Sequence, residues 1–385
     1  MKEPINVLST FNGMGCIWVA LDRLGVKVNK RYSSETDRYA NIINDKNYPH
    51  TTQLGDVAKV KAKDLEKIDL LVGGSPCQGF SFAGKQLNFN DTRSKLFFEF
   101  VRLLEECREI NPQVKFLLEN VKMKKEYQDV ISRLLGIEPI EINSSLVSGQ
   151  NRRRLYWTNI DGIIQPLDRR ISLSSVLQPY SEISETLMTE GWYKWWDKNM
   201  EFQLSKKHSS LDADKAICMT ARQYASWNGN YVTLDILKYF RDTDKPLVFK
   251  ARNKKKVYIH KEDLKPGTFY ETRTEKGKTL RREARQKGLG DTTPRTSDCK
   301  KYVVSPHEKA NCILATRSFL DCIIDNQFIL RSLSPVECER LQTLPDNYTE
   351  GVSNSQRYKM LGNGWTVDVI AEILKHEYHK LKQVA

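Results

Sequence analysis

The stretch Ile5-Asn6-Val7-Leu8-Ser9-Thr10-Phe11-Asn12-Gly13-Met14-Gly15-Cys16-Ile17-Trp18-Val19-Ala20-Leu21-Asp22-Arg23-Leu24-Gly25 decides how the rest of the chain is read. Ile5–Leu8 has the apolar character of a strand. Gly13 and Gly15 permit a tight turn. Ile17–Leu24 carries apolar residues at helical spacing, and Gly25 stands where a left-handed residue closes a helix. Strand, glycine turn and helix in that order open a doubly wound α/β sheet.

Outward from this unit the alternation continues. Val28–Ser33 reads as a second strand and Asp37–Asn44 as a helix. Asp69–Val72 is a short apolar strand ending in Gly73-Gly74. Leu96, Phe97, Phe100, Val101, Leu104 and Cys107 recur at helical spacing. Val114–Leu118 is a buried strand, Tyr127–Leu135 a helix closed by Gly136, and Leu155–Thr158 a late strand. This predicts a Rossmann-like, mainly parallel sheet over residues 1–165. Past about 165 the alternation fails, and a second, smaller domain is expected over 166–330. Helical patterns resume at Ser334-Pro335, a cap followed by a first helical residue, and again over Val367–Leu381. Residues 331–385 are therefore expected to return to the first domain.

The chain has 385 residues, with 61 Lys+Arg against 48 Asp+Glu, a formal net charge of +13. No apolar run approaches the ~20 residues of a membrane span. No apolar leader separates Met1 from Ile5, so a cytoplasmic protein that binds no membrane is expected. Eight cysteines without a CxxC pair argue against a disulfide framework. Cys299, His307, Cys312 and Cys322 lack paired ligand spacing, so no metal is expected. The charge is concentrated: residues 245–301 hold 18 Lys+Arg and 7 Asp+Glu, a net +11, and the rest of the chain holds +2. Lys254, Lys255, Lys256, Arg281, Arg282 and Arg285 lie in its densest parts, interleaved with Tyr258, Phe269, Tyr270 and glycines. Any single cluster is by default a solvated face. A net +11 over one segment suits a polyanion such as nucleic acid.

The glycine turn indicates the ligand class. A dinucleotide pattern needs Gly or Ala at position 18, and that residue is Trp18. Glu35, at the end of the second strand, can accept from both ribose hydroxyls, and Asp56 from an adenine amino group. Adenosine without phosphates fits this set better than NAD; an ordinary tight turn with two solvated acids is the plain alternative. Gly79–Lys85 matches GxxxxGK, but Gln86 lacks the hydroxyl that would hold Mg²⁺, so the match is fortuitous. Three further groups fall at strand ends, in the ligand crevice of such a sheet. Cys77, in Gly74-Ser75-Pro76-Cys77-Gln78, is placed as a nucleophile rather than as a buried structural thiol. Glu119 ends the strand Phe116–Leu118. Gln150, Arg152 and Arg154 share one face of extended chain.

Taken together these motifs resemble the DNA (cytosine-5) methyltransferase family. The resemblance rests on Phe11-x-Gly13-x-Gly15, Pro76-Cys77-Gln78, Glu119-Asn120-Val121, Gln150-x-Arg152-x-Arg154, the Leu-Ser-Pro-x-Glu-x-x-Arg-Leu-Gln run within Arg331–Pro345, and Leu361-Gly362-Asn363, all in the family's order. It is closest to bacterial or phage members, with some likeness to the eukaryotic de novo branch. Asn12, Cys16 and Gly364-Trp365 differ from the commoner residues of that pattern. The resemblance implies S-adenosylmethionine as methyl donor and a cytosine flipped out of double-stranded DNA as acceptor. It implies Cys77, Glu119, Arg152 and Arg154 as the catalytic set. It implies Phe11, Gly13, Gly15, Glu35, Asp56, Val57, Pro76 and Asn363 as cofactor contacts, with Phe11 stacked on the adenine. Gln78 and Ser81 would lie on a loop that closes on DNA, and 166–330 would be the target-recognition domain, in a monomer. Two alternatives stay open. One is an RNA cytosine methyltransferase on the same scaffold, whose tRNA-acting branch has a Cys-Phe-Thr that Cys218-Met219-Thr220 echoes in part. The other is a non-catalytic DNA-binding homologue.

Overall fold

The computed structural model describes residues 3–75, 95–183, 209–221, 229–243, 245, 247–250, 256–259, 269–273, 286, 300–304 and 328–378. The chain forms two compact units. Unit 1 takes Met1–Leu177, Ala213–Asn230 and Pro335–Ala385; unit 2 takes Gln178–Asp212 and Tyr231–Ser334. The chain thus changes unit after 177, 212, 230 and 334, where the sequence suggests two changes, after 165 and 330.

Unit 1 is built on seven strands: β1 (Ile5–Thr10), β2 (Val28–Ser34), β3 (Thr51–Gln53), β4 (Leu70–Gly73), β5 (Lys115–Val121), β6 (Ile140–Asn143) and β7 (Arg153–Thr158). Their order is β3-β2-β1-β4-β5-β7-β6. The first five run parallel, and β7 is inserted antiparallel to both β5 and β6. This is the doubly wound α/β sheet that the opening unit indicates. Val7 and Leu8 in β1, Leu70–Val72 in β4 and Phe116–Leu118 in β5 are all buried, as strands covered by helices on both faces must be. The strand order reverses between β1 and β4. The crevice beyond their carboxyl ends is the place where a ligand reaches the backbone without displacing core side chains.

Helices α1 (Cys16–Arg23), α2 (Arg38–Asn47), α3 (Lys95–Ile110) and α4 (Lys125–Leu135) cover the sheet. Asp37 caps α2, accepting from Tyr39 N at 2.9 Å and Ala40 N at 3.4 Å. One face of α3 buries Phe97, Phe100, Leu104 and Cys107 against Leu118 and Trp157. Gly136 ends α4 with φ +73°. A Cβ there would meet nothing within 4 Å, so only backbone strain opposes substitution. Gly136→Ala is expected to cost about 1 kcal/mol, read as a shift in urea midpoint with unchanged slope.

The C-terminal segment closes unit 1. Helices Pro335–Leu341, Asn354–Asn363 and Val367–Tyr378 belong to it, and Asp368 pairs with both Arg23 and Arg169. Glu339, fully buried, accepts from Arg357 Nη2 at 2.8 Å, Asn347 N at 2.7 Å and Thr349 N at 2.9 Å. That shell of donors supports its charge in place of water.

The described part of unit 2 is β structure with short helical pieces at Tyr180–Glu182 and Ile236–Asp242. Asn230–Asp235 lies between Phe328–Ser332 and Ser210–Leu211 in a three-stranded sheet. Leu247–Lys250 pairs antiparallel with Lys256–Ile259, and Phe269–Arg273 with Lys300–Val304.

Candidate active site

A cavity of about 560 Å³ opens at the carboxyl ends of β1, β2, β4 and β5, within the range that holds a small-molecule cofactor. Phe11, Gly13, Glu35, Asp56, Val57, Glu119, Arg152, Arg154 and Asn363, nine residues drawn from the sequence, all line it. Gly15 acts one layer back, where its φ of +84° lets α1 start. A Cβ on it would lie 2.7 Å from both Asn44 Oδ1 and Trp18 Cδ1. Trp18, which breaks the dinucleotide pattern, is fully buried and donates from Nε1 to Asn44 Oδ1 at 2.9 Å. Asn12 Nδ2 donates to the same oxygen at 3.0 Å. The two unusual residues of the turn, Asn12 and Trp18, are thus joined through one partner. Cys16 is also buried, which pushes its thiol up to about 11.

The acids on the adenosine side are fixed by backbone. Glu35 Oε2 accepts from Gly13 N at 2.8 Å, and Oε1 accepts from Thr36 N and Asp37 N, each at 2.8 Å. Two carboxylate oxygens have about four acceptor directions, so one remains for a ribose hydroxyl. Asp56 Oδ1 caps a short turn through Ala58 N at 3.1 Å, and the second oxygen is not used in that cap. Phe11 holds φ +52° at the cavity wall, a conformation a large side chain adopts only when its surroundings require it. Asp37 and Lys359, both on the cavity wall, pair at 2.6 Å. An aromatic face, two oriented carboxylates and a glycine turn fit the adenosine half of S-adenosylmethionine.

On the other side of the cavity, Glu119 is 8 % exposed. Its Oε1 forms an ion pair with Arg154 Nε at 2.9 Å, and its Oε2 accepts from Trp365 Nε1 at 3.1 Å. Asn120 donates to Ser75 Oγ at 3.2 Å, anchoring the residue from which the Pro76-Cys77-Gln78 motif departs. Pro76, Cys77, Gln78 and Ser81 lie outside the described residues.

The alternation read for Gln150, Arg152 and Arg154 is visible in burial: Gln150 and Arg152 are buried, and Asn151 and Arg153 are exposed. Arg152, 3 % exposed, donates to the carbonyls of Met219 at 3.2 Å, Gly362 at 3.2 Å and Gly364 at 2.9 Å. The family resemblance implies a catalytic place for it; the described contacts make it a clamp on the 362–364 loop. Burial and the neighbouring Arg154 lower its proton affinity. Both guanidinium groups also face Cys218 Sγ, at 3.4 Å from Arg152 and 3.7 Å from Arg154. Burial pushes the Cys218 thiol up, but the two arginines outweigh it and hold it below its usual value.

Sequence reasoning leaves three contributors here without a task. Gln342 donates to Leu361 O at 2.6 Å and accepts from Thr366 Oγ1 at 2.9 Å, tying two motifs together. Gln150 Oε1 accepts from Met219 N at 2.8 Å. The segment 213–230 is held by Ala216, which bridges Gly149 and Asn151 at 2.7 Å each, and by Lys215, which donates to Ser145 O at 2.8 Å and Ser148 O at 3.1 Å. Gly362 gives this segment room, since a Cβ there would run into the Thr220 backbone.

Of the predicted basic contacts, Lys254, Lys255, Arg281, Arg282 and Arg285 lie outside the described residues, and Lys256 begins a strand of unit 2. Among the described residues no group of acids, cysteines and histidines is placed to hold a metal ion, and no helix is long and apolar enough to cross a membrane.

Comparison with known proteins identifies the family. The model of the C-5 cytosine-specific DNA methylase family matches residues 5–131 and 149–379. The orphan methyltransferase M.SPRI of Bacillus phage SPR is 27 % identical, over 97 % of this chain and 98 % of its own. The type II methyltransferase M.NlaIV of Neisseria lactamica is 26 % identical, over 98 % and 100 %. In fold, the chain is similar to the solved Entamoeba histolytica methyltransferase EhMeth, with a TM-score of 0.61 at 16 % identity, covering 99 % of this chain and 100 % of that one. It is likewise similar to the solved S. pombe Dnmt2 methyltransferase, with a TM-score of 0.58 at 14 % identity, covering 98 % of this chain and 99 % of that one. With the family model spanning nearly the whole chain, the protein belongs to the C-5 cytosine-specific DNA methylase family and is a DNA (cytosine-5) methyltransferase.

Proposed function

We propose that this enzyme methylates a cytosine flipped out of double-stranded DNA, through a covalent bond between Cys77 and C6. The observation that carries the reading is the Glu119–Arg154 pair in the same cavity as Phe11, Glu35 and Asp56. One cavity then offers an adenosine cradle and, beside it, an acid and a guanidinium for a pyrimidine.

Cytosine C5 is a weak nucleophile because the ring is aromatic. Addition of a thiolate to C6 removes that aromaticity and makes C5 enamine-like. Negative charge then builds at N3 and O2. Glu119 serves N3 and answers the first; Arg154 serves O2. When bound, S-adenosylmethionine supplies an electrophilic methyl group on a sulfonium. Phe11, Glu35, Asp56 and Asn363 would hold it in the same cavity as the target base. C5 takes the methyl with release of a neutral thioether; C5 then gives its proton to solvent, the C5–H electron pair re-forms the C5–C6 double bond, and the C6–S bond breaks with its pair returning to sulfur as the Cys77 thiolate. Neither ring face is open to attack inside a duplex, so the base must leave the stack at a cost of a few kcal/mol. Unit 2, with the net +11 of residues 245–301, is the part proposed to read the target. Lys254–Lys256, Arg281, Arg282 and Arg285 would contact phosphates there.

Duplex DNA carrying 5-fluorocytosine in place of the target is expected to trap a protein–DNA adduct stable to denaturing electrophoresis, because fluorine cannot leave C5 as a cation. The adduct requires S-adenosylmethionine and disappears in Cys77→Ala. An enzyme that methylates ordinary DNA yet yields no adduct would rule out addition at C6.

A further inference from the structure

Trp365 stands out because it breaks the family pattern and touches the proposed acid. It sits in the loop between the helices Asn354–Asn363 and Val367–Tyr378, and its indole N–H donates to Glu119 Oε2 at 3.1 Å across 246 positions of sequence. The two oxygens of Glu119 thus have partners on two separate elements, Oε1 an ion pair with Arg154 on β7 and Oε2 the indole N–H of Trp365. A single ion pair leaves a carboxylate free to rotate about its last bond. A second donor on the other oxygen fixes the plane, and with it the edge presented to a base.

Two independent features are arranged around this contact. Gly74, just past β4, has no side chain where one would intrude: a Cβ there would lie 2.9 Å from Trp365 Nε1 and 3.3 Å from Glu119 Oε2. The loop that carries Trp365 is also tied down. Arg152 donates to Gly362 O and Gly364 O, and Gln342 donates to Leu361 O at 2.6 Å and Gly364 O at 3.2 Å. Val367 N completes the tether on Gln342 O at 3.0 Å. Buried donors spent on holding one loop fix the indole to within a narrow range of positions.

We propose that Trp365 is a positioning residue for methyl transfer, orienting Glu119 toward the cytosine edge through its N–H. This rests on Glu119 being the group that serves N3. Arg152, an essential tie for the loop, thereby acts on the same acid from a distance.

The test is a double-mutant cycle on the full chain, read by single-turnover methyl transfer from labelled S-adenosylmethionine to duplex DNA. Trp365→Phe keeps a ring in place and removes the donor. It is expected to slow transfer about 10- to 100-fold, the equivalent of one hydrogen bond to a charged group. KM for S-adenosylmethionine should stay within about threefold, which separates orientation of the acid from loss of a pocket wall. In a Glu119→Gln background the same change should have little further effect, because the residue acts through the acid. Gly74→Ala, whose Cβ would press on the indole N–H and wedge the contact apart with both partners still present, should reproduce the slowing. Equal rates for Trp365→Phe and the parent, a rise in KM that accounts for the whole loss, or full additivity with Glu119→Gln would each overturn the proposal. A parent enzyme that places no methyl on C5 would instead overturn the proposed function.

Discussion

Cys77→Ser is expected to lower methyl transfer by roughly four orders of magnitude or more while the protein still binds S-adenosylmethionine with near-normal affinity. The hydroxyl is a poor nucleophile at neutral pH, whereas a thiol in an electropositive setting is partly ionised. The proposed cofactor contacts lie elsewhere: Glu35 is held by Gly13, Thr36 and Asp37, and none of these partners changes. Equilibrium dialysis with labelled cofactor and single-turnover kinetics on duplex DNA check the two halves separately. A Cys77→Ser enzyme that methylates at the parent rate would remove the covalent step, and one that also loses the cofactor would show that the loop has a structural duty.

Arg152→Met is expected to be the most damaging change to stability among the motif residues. It keeps the bulk of the stem but strands the Gly362 carbonyl and takes the guanidinium donor from those of Met219 and Gly364, which keep only Cys218 Sγ and Gln342 Nε2. A buried acceptor left without a donor costs about 1–3 kcal/mol and each weakened one about 1 kcal/mol, so a loss of about 3–5 kcal/mol is expected. Cofactor binding should fail with it, since the released loop carries Asn363 and Trp365 on the cavity wall. Arg152→Lys should fall between, because an ammonium cannot span three carbonyls with the fixed fork of a guanidinium. Urea unfolding monitored with and without S-adenosylmethionine tests both parts. A variant as stable as the parent would mean that the loop holds without its clamp.

The early part of the chain was legible because its signals are local. Gly25 and Gly136 end helices within a residue or two of where they stand in sequence, with φ +65° and +73°. Glu35 and Asp56 follow β2 and β3, Glu119 lies near the end of β5, and strand ends in this sheet converge on one cavity. Strand β6 escaped notice because Ile-Glu-Ile-Asn is four residues long and only Ile142 is well buried. The antiparallel insertion of β7 has no local sign at all; it is settled by pairing with β5 and β6. The same holds for Gln150, Gln342 and Trp365. Their residue types were visible, but their partners lie across long stretches of chain, and a hydrogen bond of that kind leaves no periodicity. The segment 213–230 was assigned with its neighbours to the second domain because nothing in its composition distinguishes it. It belongs to unit 1 through the Ala216 bridge and the Lys215 contacts.

That segment also constrains how the two units could be exchanged between related enzymes. A graft cut only near residues 177 and 335 would replace 213–230 along with unit 2, and with it Cys218 and Met219, which face Arg152. The donor strap would then have to match a foreign Gly149–Asn151 bridge and a foreign Gly362. Hybrids joined at four points, importing 178–212 and 231–334 and retaining the native strap, avoid that mismatch. In lineages that shuffle such units, recombination at two breakpoints should yield crippled progeny unless the strap and its cradle travel together.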